Sequence, residues 1–280
     1  ERAAVWLHHM RGGKPVALVP ILTGSCYRFV LGESALADDP VLTSFVPALR
    51  SALQGRAAVV VAAGDLAHIG LAFDGDGDRL IAVDENGREI TGDQILIICS
   101  KVLKDQGKLK NDLLVTTVMS NLGLTIACKK YGFKHHAAKV GDRYVMERLV
   151  ANEWVLGGEG SGHMVIRDCT STGDGIVSAL QVLLAVYKSG KPLGELRRTM
   201  SKLPQTMVNV RVAERFDPHS REDIASAVRK AEAELGEAGR VLLRASGTEP
   251  LIRVMTEGQD AETIDRIANE LAVVVENSSA

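Results

Sequence analysis

The chain has 280 residues, enough for two or three domains of ordinary size. A formal net charge of −2 and an aromatic content of 4% supply neither a general pull toward nucleic acid or anionic membrane nor a stacking platform for single strands. No apolar run reaches membrane-spanning length and no signal peptide is visible, so the expectation is a cytoplasmic protein with no nucleic-acid or membrane partner. Cys26, Cys99, Cys128 and Cys169 lie far apart, form no CxxC pair and read as reduced, buried thiols.

In chain order, VALVPIL (16–22) predicts a buried strand, and Leu42, Phe45, Val46, Leu49 and Leu53 share one helical face. AAVVVAAG (57–64) is a continuous apolar strand of the kind a parallel sheet covers on both sides. LIAVDENGREI (80–90) predicts a hairpin turning at Asn86-Gly87. A helix over 93–104, a strand over 113–119, a helix over 122–131, a strand near 153–157 and a helix over 175–187 follow, the last capped by Asp174. This alternation predicts α/β units. Residues 188–205, with Gly190, Pro192, Gly194 and Pro204, read as a connection. Beyond it, a strand over 206–213, a helix over 219–235, strands over 240–244 and 251–256 and a helix over 260–275 predict a small α+β domain.

FDGDGDRLIAV (73–83) sets Asp74, Asp76 and Asp78 at alternate positions with glycine between them. Three such carboxylates repel one another unless a cation sits among them, and an all-oxygen set favours magnesium, manganese or calcium over zinc. A calcium-binding EF-hand does not fit: its sixth position needs glycine and holds Arg79, and the flanks read as strands. Three protein ligands leave room for a substrate or phosphate oxygen, which Arg79 suits. A solvated acidic turn is the bland alternative. GGEGSGH (157–163), KVGDRY (139–144) and RASGTEPLIR (244–253) are polar loops whose hydroxyls, carboxylates and arginines could meet a sugar or an anion; by composition alone, plain turns with solvated charges are simpler readings.

DGDGDR is followed in order by VTTVMSNLGL (115–124), KVGDRYVMERL (139–149), GGEGSGHMV (157–165), TSTGDGIVSALQVL (170–183) and RASGTEPLIRVM (244–255). Together these resemble the α-D-phosphohexomutases, most closely the members that act on aminosugar phosphates, from about residue 71 to the end. The resemblance implies mixed α/β units of the phosphohexomutase type over 71–200, then a small α+β phosphate-binding domain over 206–280. It implies Mg2+ held by Asp74, Asp76 and Asp78, with Arg79 at the transferred phosphoryl group. Glu159, Ser161 and His163 would read the sugar, with Lys139, Asp142 and Arg143 beside them. Arg244, Ser246, Gly247, Thr248 and Arg253 would hold the phosphate already on the substrate. The implied reaction is an isomerisation: a phosphoserine gives its phosphate to one oxygen of a hexosamine phosphate and recovers it from another, through a bisphosphate intermediate. Two departures stand out. Where the aminosugar members mostly carry a bulkier polar residue, this chain has Gly160, and the serine-bearing TASHNP-like loop is absent from the sequence. The chain by itself is therefore expected to lack mutase turnover. Mannose or glucose phosphates, or a non-catalytic phosphosugar- and metal-binding module, remain the alternatives.

Residues 1–70 read differently. AVWLHHM, VALVPILTGS, DDPVLTSFVPALRSAL and VVVAAGDLAHIG resemble the Memo-like family, which is related in fold to extradiol dioxygenases, and place His68 near that family's metal site. The two resemblances meet between Gly64 and Asp74, as a fusion or an assembly artefact joining unrelated coding segments would produce.

Overall fold

The computed structural model describes residues 60–63, 69–214, 216–246 and 249–279. They fall into two compact units, one ending at Met200 and the other made of Asn121–Ile126 with the chain from Ser201 onward. The Memo-like stretch, His68 included, lies almost wholly outside the described residues.

In the first unit, β1 (Val60–Ala63), β2 (Gly70–Phe73), β3 (Leu80–Val83) and β4 (Glu89–Ile90) form an antiparallel sheet in that order. The strand expected to lie in a parallel sheet thus runs antiparallel to β2. The link from Ala63 to Gly70 is far shorter than the roughly dozen residues a parallel crossover needs. The β3–β4 hairpin turns where expected: Gly87 takes φ +78°, and Asp84 Oδ1 accepts from the amides of Asn86 and Arg88, each at 2.9 Å.

A second sheet has the order β6-β5-β7-β8, from β5 (Leu113–Thr117), β6 (Lys134–Ala138), β7 (Leu156–Gly158) and β8 (Met164–Ile166). β5 is parallel to β6 and β7, while β8 returns antiparallel to β7. Helix α1 (Gly92–Asp105) starts with a reciprocal cap between Thr91 and Gln94 and is buried from Gly92 through Ser100, because it packs against both β7 and α4 (Gly175–Ser189). Asp174 caps α4 as expected, its Oδ1 accepting from Ile176 and Val177 at 2.9 and 3.0 Å. Helices α2 (Leu122–Tyr131), α3 (Asp142–Ala151) and the short α5 (Leu193–Leu196) complete the set. The last lies in the stretch read as a plain connection.

In the second unit, β9 (Gln205–Arg211), β10 (Gly239–Ala245) and β11 (Leu251–Gly258) form an antiparallel sheet with β11 in the middle. Val210, Val241, Leu243, Ile252 and Val254 pack under α6 (Glu222–Leu235) and α7 (Ala261–Ser279), against Ile224, Leu235, Ile264, Ile267, Leu271 and Val275. Since side chains alternate along a strand, the opposite face carries Arg244, Arg253, Asn209 and Arg211 at one end and Arg240, Glu257 and Gln205 at the other. Glu257 is fully buried; it accepts from Arg240 at 2.8 Å and from Asn121 Nδ2 at 2.5 Å.

Cys99 and Cys128 are buried free thiols, pushed up to about 12 chiefly by burial, as expected of unreactive core cysteines. Cys169 departs from that reading and is exposed; Cys26 lies outside the described residues. No helix among the described residues is long and apolar enough to cross a membrane.

Asn121 is the joint of the second unit. Its Oδ1 accepts from the amides of Leu203 and Gly123 at 2.9 and 3.1 Å, and its Nδ2 donates to Leu203 O at 3.1 Å besides Glu257. Truncation leaves a buried carboxylate and buried backbone groups short of partners, so Asn121→Ala is expected to cost roughly 2–4 kcal/mol in urea unfolding. A change below about 0.5 kcal/mol would contradict this role.

Candidate functional site

The acidic loop is the connection between β2 and β3, and its neighbours fix it at both ends. Gly77 takes φ +74°, a conformation open to glycine, and its N–H donates to Asp74 O at 3.2 Å. Its carbonyl accepts from Gly175 N at 2.9 Å, which docks the loop on the start of α4. On the far side, Leu80 N donates to Gly162 O at 3.1 Å, tying the loop to the 157–163 turn. So held, one carboxylate oxygen from each of Asp74, Asp76 and Asp78 lies within 4.8 Å of the other two.

The local electrostatics are unbalanced. Burial, then the Asp74 carboxylate, raise the Asp78 carboxyl above its usual range, and His163 only partly opposes them. Asp78 Oδ1 is buried without a hydrogen-bond partner; Arg79 Nε stands 3.7 Å away, too far to bond. A carboxyl raised in the folded chain penalises folding at pH values above its pKa, and the penalty is relieved as the pH falls and a proton arrives. A cation among the three oxygens would relieve it at neutral pH. An all-oxygen donor set, a crowded charge and an orphaned buried oxygen together fit a hard divalent ion.

His163 has a neighbour that the sequence did not suggest. Its ring is buried, 7% exposed, with Nδ1 3.0 Å from Asp78 Oδ2. It therefore ties the end of the 157–163 turn to the acidic loop. Glu159 and Ser161 remain accessible on the turn: Glu159 Oε1 accepts from Gly141 N at 3.0 Å, and Ser161 Oγ lies 3.5 Å from Glu159 Oε2. Gly141 is the cap of α3, so the Glu159 carboxylate sits at a helix N-terminus, where negative charge is favoured. The KVGDRY segment is thus beside the GGEGSGH turn, as the resemblance implied. It is not wholly a loop, however, because Asp142 and Arg143 form the first turn of α3. Lys139 stands 5.9 Å from the Tyr144 ring, and Arg143 bonds Glu147 at 2.9 Å, both exposed.

The turn rests on a residue that sequence reasoning passed over. Gly92, first in α1, donates to Gly160 O at 3.1 Å. A Cβ there would fall 2.3 Å from Glu159 O and 2.5 Å from Gly162 N. The glycine before a helix-starting aspartate in TGDQ was the available signal, but a close approach of two backbones is invisible until both are placed. A Cβ at Gly160 would meet Asp93 Oδ2 at 3.1 Å, so the bulkier residue of the aminosugar enzymes needs Asp93 to yield slightly.

The second unit carries the other candidate residues. Arg244 on β10 and Arg253 on β11 are direct cross-strand partners, an arrangement that like charges disfavour. Both Nε atoms are buried without a hydrogen-bond partner, and burial and Arg253 lower the pKa of Arg244. Ser246 is buried, 5% exposed, and its Oγ accepts from Glu249 N at 3.3 Å. Gly247 and Thr248 lie outside the described residues. Two facing guanidiniums with unused donors can hold an anion such as phosphate.

Residues 91–203 match the family model for phosphoglucomutase/phosphomannomutase, alpha/beta/alpha domain III, and residues 207–274 match its C-terminal domain. The chain belongs to the phosphoglucomutase/phosphomannomutase family. It is 64% identical over 213 residues to the phosphoglucosamine mutase of Marinobacter nauticus, covering 76% of this chain and 47% of that protein. It is 58% identical over 209 residues to that of Syntrophobacter fumaroxidans, covering 75% and 46%. The chain thus spans about half the length of the curated relatives it matches. Among solved structures, Aspergillus fumigatus N-acetylphosphoglucosamine mutase in complex with GlcNAc-6P and magnesium matches with a TM-score of 0.65 at 21% identity, over 76% of this chain and 53% of that chain. At that identity the likeness shows a shared fold.

Gly92→Ala is expected to displace the 157–163 turn while leaving the chain folded, with backbone amide shifts concentrated at Glu159–Gly162 in a 1H–15N spectrum. Unmoved turn resonances in a folded variant would contradict the support role.

Proposed function

We propose that this chain is the metal-holding, sugar-reading and phosphate-holding portion of a phosphoglucosamine mutase, the enzyme that interconverts glucosamine 6-phosphate and glucosamine 1-phosphate in the cytoplasm. The observation that carries the reading is the 64% identity over 213 residues to the phosphoglucosamine mutase of Marinobacter nauticus. The clustered oxygens of Asp74, Asp76 and Asp78 support it.

Asp74, Asp76 and Asp78 would hold Mg2+, which when bound neutralises charge on a transferring phosphoryl group. Arg79, half exposed beside the acidic loop, would pair with a phosphoryl oxygen. Glu159 offers a carboxylate to the ammonium of an aminosugar, and Ser161 a hydroxyl to its hydroxyl groups. Lys139, Asp142 and Arg143 would contact the sugar beside that turn, a role supported by the bond from Gly141 N to Glu159. Arg244, Ser246 and Arg253, with Gly247 and Thr248, would hold the phosphate already on the sugar, so that one end of a bisphosphate intermediate stays bound. His163 fixes the orientation of Asp78. No serine with the expected nucleophile context occurs in the sequence. The transfer step therefore needs a serine that is not among these 280 residues, and their turnover alone is expected at background level.

Calorimetric titration in Mg2+ tests the reading. Glucosamine 6-phosphate is expected to bind at least about fivefold more tightly than mannose 6-phosphate, an ammonium–carboxylate contact being worth about 1 kcal/mol or more. The preference is expected to vanish in Glu159→Gln. Equal affinity for the two sugars would overturn the aminosugar assignment; binding of neither would overturn the phosphosugar site.

A further inference from the structure

Beyond Arg244 and Arg253, the same end of that face of the second sheet carries one more arginine that the reading above does not use. Arg211, the last residue of β9, pairs with Leu251, two residues before Arg253 on β11. Asn209 pairs with Arg253 directly. Strand alternation places Arg211, Asn209, Arg253 and Arg244 on the face away from α6 and α7. Diagonal neighbours on one face of antiparallel strands lie about 7–8 Å apart at the backbone, within reach of two arginine side chains converging on one small anion.

The charge on this face is segregated. At one end Arg240 is matched by the buried Glu257. At the other, Arg211, Arg253 and Arg244 have no carboxylate within ion-pair distance among the described residues. Arg211 is exposed, on an edge strand. Asn209, directly opposite Arg253, supplies an uncharged donor beside them. Three guanidiniums and an amide exceed what a singly charged group requires; they match the three oxygens and double charge of a phosphomonoester.

We propose that Arg211, with Asn209 beside it, is a further binding residue of the anion site, which makes the site selective for a phosphomonoester dianion such as the non-reacting phosphate of a sugar bisphosphate. This rests on Arg244 and Arg253 forming the phosphate site, and the test separates the two ideas. The full chain is titrated with inorganic phosphate at low ionic strength, followed by 31P NMR. Arg253→Gln reports on the site itself, Arg211→Gln on the extension, and Arg229→Gln on net charge, since Arg229 lies on α6 paired to Glu222.

Arg211→Gln is expected to weaken phosphate binding about three- to tenfold, as loss of one charged donor does. Arg211→Lys is expected to recover part of that loss, and Arg229→Gln to change nothing. If Arg253→Gln loses binding while Arg211→Gln binds like the parent, Arg211 has no part in the site and the underlying reading stands. If Arg229→Gln weakens binding as much as Arg211→Gln, the effect is net charge and the assignment of Arg211 is overturned. If Arg253→Gln also binds like the parent, the phosphate site itself is refuted, and the role of Arg211 with it.

Discussion

Like charges forced together organise this chain. Asp74, Asp76 and Asp78 are held in mutual reach by a hairpin connection that cannot relax, because Gly77 bonds both Asp74 and the start of α4, and Leu80 bonds the 157–163 turn. Left alone, this arrangement works against folding: burial and Asp74 raise the Asp78 carboxyl, and its Oδ1 finds no donor. A fold that spends hydrogen bonds and helix packing to keep three carboxylates crowded is organised around a positive charge that arrives from solution.

The second unit repeats the situation with the opposite sign. Arg244 and Arg253 face each other across two strands, with donors buried and unused. These two loci leave charge uncompensated by their neighbours, negative in the first unit and positive in the second. Other charges are matched locally, as between Arg240 and Glu257 or Lys191 and Glu195. A divalent cation and a phosphate are the complements of these two loci.

Much of this was legible in the sequence, for identifiable reasons. The acidic loop is encoded by alternation alone, and Asn86-Gly87 and Asp174 mark a hairpin and a helix start by local chemistry. The helix over 222–235 follows apolar periodicity, with Ile224, Ala231 and Leu235 buried on one face. What failed was tertiary. β6, with the sequence KHHAA, is an edge strand without an apolar alternation, and α3 begins after a glycine with no side-chain cap, so neither was anticipated. The antiparallel return of β1 could have been inferred from its short link to β2. The bond from His163 to Asp78 joins residues far apart in sequence, and the close approach at Gly92 joins two backbones; no spacing rule reports either.

The claim on which most depends is that the acidic triplet takes a divalent cation. Diffraction from crystals grown with Mn2+, with anomalous differences recorded at the manganese edge, tests it directly. The account predicts a single strong peak about 2.1–2.3 Å from oxygens of Asp74, Asp76 and Asp78, weakening as the crystals are brought to acid pH and Asp78 gains its proton. A map with no peak at this loop at neutral pH, or with manganese bound elsewhere while the three carboxylates stay bare, would contradict it.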